Sequence, residues 1–200
     1  VAGNDEALRA NLRVALELLK AAGWVFKDRK LADGKTGKPF AFEILLAQPT
    51  FERVVLPLVR NLERLGIEAR VRTVEPAQYR KRTDDFDFYV IVETFGQSLS
   101  PGNEQRDFWS TAAAAIPGSR NTIGVKDPVV DELIELVIGA PDRESLIART
   151  RALDRVLLWG HYVIPNWHTR VFRVAHWDKF GRPDKTPKYT LCVECWWVDA

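Results

Sequence analysis

Methionine is absent from the 200 residues, cysteine occurs only at Cys192 and Cys195, and histidine only at His161, His168 and His176. Missing methionine, with the opening Val-Ala-Gly-Asn, gives the expectation that the chain is processed or excised from a longer protein. A tetrahedral zinc site needs four N or S ligands, and the C-x-x-C pair would have to recruit two of the scarce histidines. A redox C-x-x-C belongs at a helix N-terminus, where the dipole lowers the thiol pKa. Here Trp196, Trp197 and Val198 follow, which reads as strand, so a structural role for the cysteines is expected, with no metal and no cofactor. No apolar run reaches the roughly 18 residues that cross a bilayer, and no pattern of basic, apolar and small residues opens the chain as a signal peptide would. Neither sign of charge is in excess: 29 basic against 27 acidic residues, scattered rather than striped, give no electrostatic case for a nucleic-acid partner.

What is present is an ordinary globular composition, 46% apolar and 28% charged, in a chain long enough to bury a real core as one domain or one sizeable lobe. Residues 5–22 space Leu8, Leu12, Leu16 and Leu19 helically, with acids early, Lys20 late and Gly23 as the stop. Gly34-Lys35-Thr36 invites a phosphate-loop reading, but Arg29 stands where the motif needs glycine, and a polar hairpin turn over 33–39 is expected instead. Residues 40–47 predict a strand. A helix follows from a Thr50 cap to Leu65, with Val54, Val55, Leu58 and Leu62 on its apolar side and a bend at Pro57. Residues 67–74 predict the next strand, completing a βαβ crossover, and Pro76 opens a short helix.

The stretch from Asp84 to Trp109 organises the rest. Phe88 to Val92 is a run of aromatic and β-branched residues, which reads as a central strand covered on both faces. A long polar loop follows it. Loops at the carboxyl ends of α/β strands are where such sheets bind ligands, so this one is the candidate site for a small polar ligand. Phe95 and Trp109, with Trp167, are candidates for stacking; Gln97, Ser98, Ser100, Asn103 and Gln105 for bonding a peptide backbone. Arg106 and Arg120 could take a carboxylate bidentately, while Asn121 either faces ligand or orders its own turn. Farther on, Asp127-Pro128 and Pro141-Asp142 start two helices expected to pack as a hairpin on the sheet. Residues 162–165, 169–175 and 189–198 read as extended, with a proline-rich connection over 181–188.

The order of elements and three strings resemble the periplasmic extracellular solute-binding proteins of the peptide and nickel transport type, family 5. The strings are Phe86-Asp87-Phe88 ahead of the polar loop, SRNTIGVKDPVVDELIE at 119–135 and RALDRVLLWGHYVIPNWH at 151–168. FGQSLSPGNEQRDFW at 95–109 and the near-terminal tryptophans look like the oligopeptide-binding subgroup. The resemblance implies an α/β fold, the C-terminal lobe of a type II periplasmic binding protein with a central mixed sheet flanked by helices. It implies that residues 1–200 are one ligand-binding lobe, a fragment of a longer two-lobe protein. That protein would close on an oligopeptide or peptide-like compound in the periplasm and deliver it, as a monomer without enzymatic activity, to an inner-membrane ABC permease. Family members commonly carry a tryptophan and then an aspartate after the central strand, the aspartate pairing with the ligand's α-ammonium. Here Phe95 falls near the tryptophan and Gln97 or Ser98 near the aspartate, so the anchoring carboxylate is missing: either Glu93, with Thr94 beside it in the site, takes its place, or the amine is held differently. Two other readings stay open: a receptor for a sugar or metal chelate, and a thiol- or metal-dependent enzyme using the cysteines and histidines.

Overall fold

The computed structural model describes residues 4–166, 171, 173–185 and 190–198. Two compact units divide the chain, Val1–Tyr162 and Val163–Ala200. No helix among the described residues is long and apolar enough to cross a membrane.

In the first unit, α1 (Asp5–Ala21) starts where the Asn4 side chain accepts from the Ala7 amide, satisfying one of the donors a helix start leaves unpaired. Next comes a hairpin of β1 (Trp24–Lys27) and β2 (Lys30–Asp33). Its two turn residues, Asp28 and Arg29, both have positive φ, as a tight two-residue hairpin requires. The second strand of this hairpin carries none of the usual Asn-Gly signal, and the sequence reading passes over it. The expected polar turn lies just beyond, organised by Asp33, whose carboxylate accepts from the amides of Lys35 and Thr36 and the Thr36 hydroxyl.

β3 (Ala41–Leu46), α2 (Glu52–Glu63) and β4 (Glu68–Thr73) form the expected parallel crossover, followed by α3 (Pro76–Asp84) and β5 (Val90–Ile91). Strand order is β4-β3-β5, all parallel, and the hairpin joins this sheet through the Leu31 amide on Gly66 O and the Phe40 amide on Leu31 O, each at 2.8 Å. The sheet is therefore mixed, as expected, but its centre is β3. The run at 88–92 is an edge: only Val90 and Ile91 pair, and Tyr89 is 77% exposed. The physical reason is that β3 is hydrogen-bonded on both sides and buries Ile44, Leu45 and Leu46 completely. Thr50 does not cap α2. It lies in a 3₁₀ turn over Pro49–Phe51, and the helix buries Val55 and Val59 while Leu58 faces solvent. Val55 and Val59 pack with Ile44, Leu46 and Ala69, whereas Leu12, Leu16 and Leu19 of α1 pack on Leu31, Leu65 and Ile67. Arg82 of α3 ties that helix to β3 through Glu43, at 2.7 Å.

After β5 the chain builds a separate core. α4 (Glu104–Trp109), α5 (Pro128–Ile138) and α6 (Arg143–Trp159) enclose Phe108, Trp109, Val125, Val130, Ile134, Val137 and Leu153. The α5–α6 hairpin thus packs with α4 rather than on the sheet, because α4 and its aromatics supply the apolar surface that the hairpin needs. Both helix starts are capped as the sequence indicates: Asp127 accepts from the Val129 amide and Asp142 from the Ser145 amide. The bonds from the Ser145 amide and hydroxyl hold the Asp142 carboxyl below its ordinary range. A carboxylate whose folded pKa is depressed contributes stability above its unfolded value, near about 4, and loses it as the pH falls through the folded value. Asp142→Asn keeps a capping oxygen but removes that titration. Its unfolding midpoint is expected to fall less steeply than wild type on acidification from neutral to about pH 3, measured by urea denaturation; parallel curves would contradict the assignment.

In the second unit β6 (Phe180–Gly181) pairs antiparallel with β7 (Trp197–Val198), and a Cys192–Cys195 disulfide closes a 3₁₀ turn at Val193–Cys195. The expected long strand at 189–198 is reduced to its last two described residues, since the disulfide-closed turn, with Cys192 at positive φ, interrupts it. Residues 162–166, 171 and 173–175 are irregular. Trp167, His168 and Tyr189 lie outside the described residues.

Candidate functional site

Three parallel strands end on the same edge of the sheet, and their carboxyl ends feed the segments 47–51, 74–76 and 92–103. That edge is where an open α/β sheet receives ligand. A depression of about 480 Å³ lies there, walled by Ala47, Pro49, Thr73, Val74 and Gln78. A second cavity, of about 530 Å³, opens between the loop after β5 and α6. The second has the character of a recognition site: mostly apolar walls carrying a few polar groups, within the roughly 300–1,000 Å³ typical of ligand pockets.

Its loop side is built from Phe95, Gln97, Ser98, Leu99 and Pro101. Phe95 is anchored by aromatic packing, edge-on to Phe108 at 5.5 Å and tilted against Trp109 at 4.7 Å, so the loop leaves β5 in a fixed direction. Gln97 accepts from the Gln105 side chain at 2.7 Å, and Gln105, 4% exposed, lines the cavity floor beside Trp109. Ser98 accepts from the Ser100 amide, and the loop's far end is fastened by Arg143, which donates to Leu99 O at 2.6 Å and to the Ser100 hydroxyl at 3.3 Å. Burial opposes ionisation of Glu104, but bonds from the Gly102 and Glu104 amides and the Gln105 side chain, with Arg120 nearby, outweigh it and hold the carboxyl below its usual range.

Of the residues marked in the sequence, the cavity thus brings together Phe95, Gln97, Ser98, Gln105 and Trp109, with Ser100 at its latch. Glu93 and Thr94 are exposed and outside its lining. Glu93 accepts the amide of Thr94 and adds to the burial that pushes the Tyr79 phenol up. Asn103 accepts from Arg106, and Arg106 is bidentate on Glu135, at 2.7 and 2.5 Å, so a carboxylate of the protein already fills the fork that was to hold a ligand's. Arg120 lies over the Phe108 ring at 4.1 Å. Asn121 is fully buried. It donates to Ser110 O and Val125 O, accepts from the Val125 amide, and so fixes the turn before α5 rather than facing ligand.

The opposite wall is α6, which contributes Leu146, Ile147, Thr150, Arg151, Asp154 and Leu157. The sequence reading takes this segment only as the second helix of a hairpin packed on the sheet, and marks none of its residues for the site. The available signal was the mixture of Arg, Thr and Asp at helical spacing with leucines, which a purely core-facing stripe would not carry. Among the described residues no group of three or more His, Cys, Asp and Glu is placed to hold a metal ion.

No family model matches the chain. It is 54% identical over 198 residues to an uncharacterized protein, y4wM, of Sinorhizobium fredii, covering 98% of this chain and 30% of that protein. It is 42% identical over 198 residues to the probable peptide-binding protein YejA of Agrobacterium fabrum, covering 98% of this chain and 32% of the relative. The chain therefore spans about a third of the length of the curated relatives it matches. Among solved structures, the oligopeptide-binding protein AppA of Bacillus subtilis, in complex with a nonapeptide, superposes with a TM-score of 0.72 at 20% identity, over 94% of this chain and 37% of that one. A mannohexaose-bound periplasmic oligopeptide-binding protein of Thermotoga maritima gives 0.68 at 21%, over 77% and 30%. In sequence the chain is similar to relatives named as peptide-binding and binding proteins, and it has the α/β fold of the type II periplasmic binding proteins.

Proposed function

We propose that residues 1–200 are the C-terminal lobe of a periplasmic receptor for oligopeptides or peptide-like compounds, which closes on its ligand and hands it to an inner-membrane ABC permease. The observation that carries this reading is the cavity of about 530 Å³ after β5, apolar in its walls and furnished with a few placed polar groups. Support comes from the relatives named as peptide-binding and from the peptide-bound AppA fold, and the role is one of binding rather than catalysis. Closure works by population shift: a second lobe meeting this wall buries the ligand, and only the closed state gains the added contacts. The receptor acts as a monomer, and this lobe alone holds ligand weakly because it offers one wall.

Calorimetry of the intact protein against a mixed library of short peptides tests the reading. Binding is expected, and Gln97→Ala, which removes the side chain paired with Gln105 at the cavity, should weaken it several-fold, as loss of one hydrogen-bonding group does. Failure of every peptide to bind would discard the peptide reading in favour of a non-peptide ligand. Sugars and chelates are the alternatives to screen, because neighbouring structures hold mannohexaose and Fe(III)-EDTA.

A further inference from the structure

We infer that the cavity between the loop at 95–101 and α6 is a selective subsite for one apolar side chain, aromatic or branched, of the ligand, and that Ile147 sets this selectivity; the inference rests on the peptide reading above. Phe95, Leu99, Pro101, Leu146, Ile147 and Leu157 make the walls, and Trp109 and Leu153 lie beneath them. The charged members of the lining, Arg143, Arg151 and Asp154, are solvent-exposed, so a lysine or glutamate head group seated against the apolar walls loses hydration that those walls do not replace. An apolar side chain gains from the same burial.

The polar groups speak for a peptide rather than for a hydrocarbon tail. The Thr150 hydroxyl oxygen is buried and has no hydrogen-bond partner, although threonine in a helix commonly bonds back to the preceding turn. A buried hydroxyl without a partner is costly, and a peptide amide or carbonyl at the cavity relieves it whereas an acyl chain does not. Arg151 and Asp154 add opposite charges to the same wall, one helical turn apart, and neither makes an ion pair among the described residues. Together they match the alternating donors and acceptors of a main chain laid across the opening. Arg143 is already committed to Leu99 O and Ser100, so it shapes the opening instead of reading the guest.

The test uses the intact protein and defined tripeptides: tri-alanine, the three positional variants with one phenylalanine, and the same sets with one lysine or one glutamate, with dodecanoate as the acyl probe. The best phenylalanine peptide is expected to bind at least about tenfold more tightly than tri-alanine, as burial of one large apolar side chain allows. The lysine and glutamate peptides should do no better than tri-alanine. Ile147 is 39% exposed, so Ile147→Arg and Ile147→Trp leave the fold intact while respectively charging and filling the cavity. Both should bring the ratio of phenylalanine-peptide to tri-alanine affinity down to about one, with thermal melting showing that the fold is unchanged. Equal binding of phenylalanine and alanine peptides by the wild type, or a preference that survives both variants, overturns the subsite and leaves the peptide reading standing. Dodecanoate binding more tightly than any peptide overturns it in favour of an acyl site. No peptide binding at all removes both readings together.

Discussion

Gly66→Ala is expected to destabilise the first unit by about 3 kcal/mol, the sum of a left-handed backbone penalty and steric overpacking. Gly66 has a φ of +76°, and a Cβ built there meets the Leu31 amide nitrogen at 2.8 Å, Phe26 Cε1 at 2.9 Å and the Lys30 carbonyl carbon at 3.2 Å. Two of these are backbone atoms of the hairpin, and the Leu31 amide is itself bonded to Gly66 O at 2.8 Å. Relief from the clash therefore breaks the joint that attaches the hairpin to the parallel strands. For a chain of this length the loss corresponds to a melting temperature about 10 °C lower. Calorimetric melting checks it, and an unchanged transition would show that the hairpin can move aside at little cost. Gly37, also at positive φ but with nothing within 4 Å of a built Cβ, is the natural control, carrying the backbone penalty without the clash.

The second large effect belongs to Asn121. Asn121→Ala removes three hydrogen bonds and leaves Val125 O and the Val125 amide without their partner, while Ser110 O keeps the bond from the Ala114 amide. At about 1 kcal/mol or more for each of the two orphaned groups, the expected cost is about 2 kcal/mol, read from chemical denaturation. Asn121→Asp gives the sign test. The buried carboxyl faces two carbonyl oxygens, so its folded pKa rises above the unfolded value. The variant should then be least stable at neutral pH and recover towards wild type on acidification, as the protonated acid donates to one carbonyl. A variant that loses stability uniformly across pH would mean that the turn rearranges.

The parts of this fold that the sequence announces are the ones whose information is local. Asp127-Pro128 and Asp142 mark their helices because a cap and its amide are two or three residues apart. The β3–α2–β4 crossover is legible because Ile44, Leu45 and Leu46 form a run too apolar for any exposed strand. What misleads is the run at 88–92: its composition is that of a doubly covered strand, yet pairing partners decide which strand is central, and composition does not encode them. The candidate site divides in the same way. Phe95, Gln97 and Ser98 lie where a loop after a parallel strand should put them. The wall opposite is missed because Thr150, Arg151 and Asp154 read as the wet side of an amphipathic helix. Arg106 looks available until Glu135, 29 residues on, arrives at its guanidinium.

The hydrophobic core around α4, α5 and α6 shares no residue with those beneath the sheet. Side chains on the cavity face of α6 can therefore be exchanged without disturbing the packing that holds β3 and its neighbours. Such a partition lets the lining of the cavity change while the scaffold itself stays put, and divergence among related proteins is expected to concentrate at positions such as 147, 150, 151 and 154.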